Sequence, residues 1–271
     1  MISEGIHSVV DTISQVLLIW GVKASKRKAD EARPFGYGKD FYFWSFIVAL
    51  IIFTVGGCIS IYQGLNRLKS PKLDDNPTID YIILMIAFVF NFVSMVSAYK
   101  AFNKQRREEN FWRAVIKTKD PSTIIVLLGD VGDLLGIIVA FIGIYLAQKL
   151  KNPYYDGLAS IIIGAILIII SSILIRVTFK LLIGRTVSKK YLTRVVAIAK
   201  EDETVKRVRK PYSTFLSPED ILLQLNIVFD EKLDTNEITD AIQRIVTNIQ
   251  KEFPLMKQIF ITPVKSIKGS H

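Results

Sequence analysis

Five long apolar stretches alternate with short polar connections over the first two-thirds of the chain, at about residues 3–22, 41–65, 81–99, 122–148 and 156–175. Each is about 19 to 27 residues long, enough for an α-helix to cross a hydrocarbon core of about 30 Å. The pattern therefore predicts a membrane α-helical bundle with five visible spans. The second span carries no charge and opens on Phe41, Tyr42, Phe43 and Trp44, an aromatic cluster suited to the membrane interface. The third has Asn91 as its main polar residue. From about residue 184 the periodicity becomes that of a soluble domain. Tyr191, Val195 and Ile198 have helical spacing, 205–215 reads as a strand, and Ile221, Leu223, Leu225, Ile227 and Phe229 alternate as one face of another. Asp234 followed by Glu237 resembles a capping box, and it precedes a stripe of Ile238, Ile242, Ile245 and Ile249; residues 259–262 supply a last short strand. An α-β-β-α-β order predicts a small α+β, ferredoxin-like domain. The expected division is 1–183 for the transmembrane domain and 184–271 for the C-terminal domain.

Charge orients this arrangement. Residues 23–40 hold Lys23, Lys26, Arg27, Lys28, Arg33 and Lys39, and residues 100–120 hold seven more Lys and Arg, whereas the connections near 66–78 and 149–155 are poorer in them. By the positive-inside rule the two basic loops are cytoplasmic, which places the C-terminal domain in the cytoplasm and the N-terminus outside. The whole chain of 271 residues is 50% hydrophobic with a net charge of +10 and a mean hydropathy of +0.34. Apolar spans joined by basic loops account for both values. KASKRK at 23–28 has the composition of a nucleic-acid patch, but its place beside a span makes it a membrane-flanking loop, and no nucleic-acid partner is expected. The single Cys58 excludes an intrachain disulfide and a thiolate-rich metal site. No basic n-region or cleavage site of a signal peptide is present at the start.

Candidate chemistry lies where ionisable residues interrupt the apolar spans. His7 and Asp11 are four apart in the first, which puts both on one helix face, with Glu4 a turn earlier. Asp130 and Asp133 are three apart in LLGDVGDLLG of the fourth, beside a strip of small residues at Gly129, Gly132, Gly136 and Ala140 that lets another helix approach closely. Unpaired carboxylates in hydrocarbon are costly. A polar helix end could explain the first pair, and a Lys or Arg partner the second. No basic residue lies within the five apolar cores, however, so a bound cation or exchangeable protons fit better. One imidazole with up to three carboxylates can complete a tetrahedral Zn²⁺ site, and such an oxygen-rich set also suits Mn²⁺ or Fe²⁺. His7, Asp11, Asp130 and Asp133 are thus the candidate metal ligands. No catalytic residue or cofactor is expected, because no nucleophile–base set or cofactor motif accompanies the spans; the chain does not read as an enzyme.

These motifs together resemble the cation diffusion facilitator family of divalent-metal transporters. SEGIHSVVDT is similar to its second transmembrane helix with H-x-x-x-D, PFGYGKDFYFW to the following loop and third helix, GDVGDLLG to the metal-binding fifth helix, and DGLASIIIG to the start of the sixth. The resemblance implies a dimer that moves metal out of the cytosol in exchange for protons, with cytoplasmic domains joining the protomers. It also implies six spans where five are visible, as expected of a start at an internal methionine or a truncation within the family's pattern. The family pattern places a ligand four residues before the Asp matched by Asp133. That position is Gly129 here, which makes Asp130 the substitute and Asn91 a reserve. Proton-coupled efflux of a divalent cation, Zn²⁺ before Mn²⁺ or Fe²⁺, is the first functional reading. A non-transporting partner subunit of a complete paralogue is the alternative. A homodimer is expected, with Gly56, Ser60 and Gly64 as a small-residue strip for helix packing.

Overall fold

The computed structural model describes residues 2–70, 77–106, 111–117 and 120–265; for residues 2–11, 77, 105, 106, 113, 116 and 117 it describes the backbone only. The chain divides into two compact units, Met1–Arg27 with Asp40–Lys180, and Lys28–Lys39 with Leu181–His271.

The first unit is helical. Its elements are α1 (Ile2–Ser25), α2 (Asp40–Ile51), a π-helical segment (Ile52–Cys58), α3 (Ile59–Lys69), α4 (Pro77–Arg106), the short α5 (Phe111–Lys117), α6 (Pro121–Lys149) and α7 (Tyr154–Gly184). Among the described residues, four helical stretches are long and apolar enough to cross a membrane: Asp40–Lys69, Thr78–Lys104, Pro121–Lys149 and the run that α7 begins at Tyr154. Their caps follow from local chemistry. α6 starts where Pro121 occupies the first turn and Asp120 accepts the Ser122 amide at 3.0 Å. One apolar cluster binds the unit together, built from Leu18 of α1, Val48 and Ala49 of α2, Ala98 and Phe102 of α4, Val115 of α5, Ile124 to Leu128 of α6 and Leu174 of α7.

The run α2–π–α3 lies against α7 through paired glycines. Gly57 and Gly64 are seven residues apart, as are Gly157 and Gly164. A Cβ on Gly164 would lie 2.8 Å from the Gly57 carbonyl oxygen, and one on Gly64 would lie 2.8 Å from that of Gly157. The two segments therefore run antiparallel with their backbones nearly touching, which only small residues permit. This reassigns the strip expected to serve assembly. Gly56 faces Leu167, Gly64 faces Ile161 and Gly157, and the Ser60 hydroxyl donates back to Gly56 O at 2.5 Å. The strip packs inside the chain because α7 supplies complementary glycines in the same register. The π turn sits at this contact, where the Ile59 amide donates to Thr54 O five residues back.

The second unit contains α8 (Lys189–Lys200), β1 (Val205–Val208), β2 (Tyr212–Ser217), β3 (Asp220–Phe229), α9 (Thr235–Glu252) and β4 (Gln258–Pro263). β3 is central. β1 and β2 pair antiparallel with its two halves, and β4 runs parallel to it with Leu222 opposite Gln258. The single strand expected over 205–215 is two strands, because Pro211 between them cannot donate to a ladder. Ile221, Leu223, Leu225 and Ile227 are buried, as are Ala241, Ile245 and Ile249 of α9 and Val195 and Ile198 of α8. The apolar sheet face and the two helix stripes thus form this unit's core. Asp234 and Glu237 make the capping box of α9, at 2.8 and 2.9 Å.

The loop 28–39 belongs to this unit. Phe35 meets Phe260 of β4 edge to face at 6.2 Å. Gly36 adopts φ 76°, and a Cβ on Gly38 would lie 2.6 Å from Leu216 O. The two glycines of PFGYGKD therefore answer to backbone geometry. Tyr37 donates to Asp30 at 2.6 Å, and the Arg33 guanidinium lies 4.5 Å from the Tyr37 ring centroid.

Candidate metal centre

α6 carries the acidic pair into the interior of the first unit. At a rise of about 1.5 Å per residue, Asp130 and Asp133 lie about 14 and 18 Å along the axis from Pro121, within the middle third of the helix. Asp130 is 8% exposed. Its Oδ2 has no hydrogen-bond partner among the described residues, and no ion pair to it is formed among them. Asp133, partly buried, adds a like charge beside it. A carboxylate oxygen removed from water without a donor costs several kcal/mol, of order 2–7 for an uncompensated polar group. Such an oxygen invites a cation or a proton.

Gly129 stands in open space, since a Cβ built there meets nothing within 4 Å. Room for a side chain exists at the position where the family pattern has a ligand. On α4, Asn91 donates its amide to Ala87 O at 3.1 Å, one turn back in its own helix.

His7 and Asp11 lie on α1, but their side chains, with that of Glu4, are outside the described residues. Helical periodicity relates their positions to the part of α1 that is described. Ser14 and Leu18 are 6% and 8% exposed, whereas Val16, Ile19 and Trp20 are 55%, 69% and 56% exposed. With 100° per residue, positions 7 and 11 fall within about 40° of the buried line through Ser14 and Leu18. α1 and α6 share the apolar cluster through Leu18 and Leu128. Among the described residues no group of three or more His, Cys, Asp or Glu converges; of the four candidate residues, the side chains described are those of Asp130 and Asp133.

One buried polar residue escaped the sequence reading. Ser14 is buried, with no hydrogen-bond partner for its hydroxyl among the described residues, and its signal was available: it follows His7 by seven residues and Asp11 by three on the same face. Asp156, expected at the entrance of the fifth span, pairs with Arg67 of α3 at 2.5 Å and is committed to holding α3 to α7. Asp230 and Asp234, in the acidic turn after β3, are likewise engaged. Lys206 bonds Asp230 at 2.9 Å and holds its carboxyl below the usual range, while Asp234 caps α9.

A family model for the cation efflux transmembrane domain matches residues 1–183. Among similar proteins, the mitochondrial proton-coupled zinc antiporter SLC30A9 of Mus musculus is 29% identical over 268 residues, covering 95% of this chain and 47% of that protein. Metal tolerance protein C4 of Arabidopsis thaliana is 26% identical, over 86% of this chain and 51% of its own length. The manganese efflux system protein MneP of Bacillus subtilis is 24% identical, over 96% and 84%. The chain thus spans about half the length of the mouse and Arabidopsis relatives. With the matched domain covering residues 1–183, the motif order from H-x-x-x-D to GDVGD, and apolar helices able to cross a bilayer, this chain is an integral membrane protein and belongs to the cation diffusion facilitator family of transporters.

Proposed function

We propose that the protein exports a divalent transition-metal cation in exchange for protons, with His7, Asp11, Asp130 and Asp133 as the ligands that bind it between α1 and α6. The observation that carries this reading is the buried Asp130 carboxylate, whose Oδ2 has no partner among the described residues and which forms no ion pair with Lys or Arg among them. Imidazole and carboxylates bind metal only when deprotonated, so metal and protons compete for the same atoms and each can drive the other's release. Zn²⁺ is the cation the imidazole-containing set suits best, as in the mouse relative named a zinc antiporter. Mn²⁺ or Fe²⁺ is the next choice, the former in line with the manganese efflux relative. In this reading α1 is a fifth span, the ferredoxin-like domain from residue 184 onward is cytoplasmic, and two copies associate through it. The open space at Gly129 favours a second reading, a partner subunit that does not itself transport.

Metal uptake by proteoliposomes containing this chain alone separates the two. Uptake driven by a pH gradient and abolished in Asp133→Ala supports the transporter. Absence of uptake in folded protein that also retains no metal refutes it.

A further inference from the structure

The outward face of α7 changes from apolar to basic along one line. Leu158, Ile162 and Ile169 are 46%, 49% and 62% exposed, and Ala165 between them is exposed as well. With 100° per residue, the exposed Arg176 and Lys180 continue that stripe within a sector of about 60°. Leu167, Leu174 and Leu181 are buried on the opposite side of the helix, so both cations stand on the face turned away from the packed core of their own chain. Among the described residues neither makes a hydrogen bond, an ion pair or a ring contact, whereas Arg67 is paired with Asp156 at the other end of α7.

Aromatic contacts fix the depth of the pair. Trp20 of α1 stacks on Trp44 of α2 at 5.4 Å, and tryptophans at the ends of apolar spans sit at headgroup level. Phe46, about 3 Å further along α2, meets Phe179 at 5.8 Å. Lys180 therefore lies close to the headgroups, and Arg176 one turn, about 6 Å, deeper in the hydrocarbon, where its long stem still lets the guanidinium reach the interface. An unpaired cation at that depth is costly. An anion that arrives with its own apolar chains relieves the cost and covers the apolar stripe at once. We propose that Arg176 and Lys180 form a binding site for the phosphate of an anionic phospholipid in the leaflet at the C-terminal end of α7. Residues four apart on a helix bring their side chains together; the guanidinium can hold two phosphate oxygens, and the ammonium adds a point charge. From Ala165 to Arg176 the stripe runs about 16 Å, half of a hydrocarbon core of about 30 Å and thus the depth of one leaflet, so it offers the acyl chains a matching wall. Each Lys or Arg near an anionic membrane surface strengthens the attraction by about fivefold.

The test is native mass spectrometry of the full chain released from mild detergent and titrated with dioleoylphosphatidylglycerol or, as the neutral comparison, dioleoylphosphatidylcholine. The variants are Arg176→Gln, Lys180→Gln, Arg176→Gln/Lys180→Gln, the exchange Arg176→Lys/Lys180→Arg, and the control Lys69→Gln/Lys149→Gln, which removes two charges at the ends of α3 and α6. Wild type should retain phosphatidylglycerol in preference to phosphatidylcholine. Each single Gln variant should bind it about fivefold more weakly and the double Gln variant about 25-fold more weakly, while the exchange and the control stay close to wild type. Unchanged phosphatidylglycerol affinity in the double Gln variant, or an equal loss in the control, overturns the proposal. Displacement of the lipid by inorganic phosphate at the lipid's own concentration overturns it too, because the pair would then bind free anions. Loss of a dimer mass in the double Gln variant would give the face to a second copy of the chain and would likewise overturn it.

Discussion

Gly164 offers the sharpest test of how the first unit is held together. Replacing it by alanine would put a Cβ 2.6 Å from Ile61 Cγ1, 2.8 Å from Gly57 O and 2.9 Å from Ile61 N. Carbon atoms pack best at about 3.5–4.0 Å, and two of the three obstructing atoms are backbone, so relief requires α3 and the π segment to move away from α7. Overpacking of this kind costs about 1–3 kcal/mol, and the rigid neighbours place Gly164→Ala at the upper end. Alanine's better helix propensity returns about 1 kcal/mol. The expected net loss is about 2 kcal/mol, a factor of about 30 in the folding equilibrium. Gly129→Ala is the matched control, because its Cβ meets nothing within 4 Å; it should gain up to about 1 kcal/mol from propensity alone. Gly56→Ala, with its nearest atom at 3.5 Å, should fall between. Reversible unfolding in mixed micelles with chelator present, so that bound metal adds nothing, measures all three. Equal stabilities for Gly164→Ala and Gly129→Ala would refute the close backbone approach.

In the second unit, burial works to raise Asp202, but hydrogen bonds from Arg244 and Thr204 outweigh it and hold the carboxyl below its ordinary value. A depressed acid contributes stability above its unfolded pKa of about 3.9 and loses it as pH falls through the lower folded value. Asp202→Asn should therefore cost about 1 kcal/mol at neutral pH, discounted for the half-exposed Arg244, and the deficit should vanish in acid melts; a pH-independent deficit would contradict this. Asp234→Ala removes the α9 cap and should destabilise by about 0.5–2 kcal/mol, seen as a lower melting temperature. Metal binding should release protons and weaken as pH falls below the ordinary imidazole range near 6.5. Calorimetry in buffers of different ionisation enthalpy detects the release, and a heat independent of buffer would count against exchange.

What was legible from the residues alone is what depends on neighbours in the chain. Apolar runs of bilayer length marked the helices that the structure shows at Asp40–Lys69, Thr78–Lys104 and Pro121–Lys149. Asp234 and Glu237 announced a capping box, because a cap is satisfied within one turn. The alternation at Ile221 to Phe229 gave the buried face of β3, and the spacing of Asp130 and Asp133 put them on one side of α6. Pro211 also carried a readable local signal, the break between β1 and β2.

Pairings between distant segments were of a different kind. The strip at Gly56, Ser60 and Gly64 was visible as a close-packing surface, but small residues state only that something may approach; that α7 fills the place depends on Gly157 and Gly164 arriving in register about a hundred residues later. Arg67 with Asp156, 89 residues apart, was hidden for the same reason. The membership of loop 28–39 in the second unit through Phe35 and Phe260 was equally unreadable. Periodicity reports which side of an element is buried, because that is set by the element's own geometry. Which partner buries it is chosen by packing between segments, and that choice belongs to the tertiary structure alone.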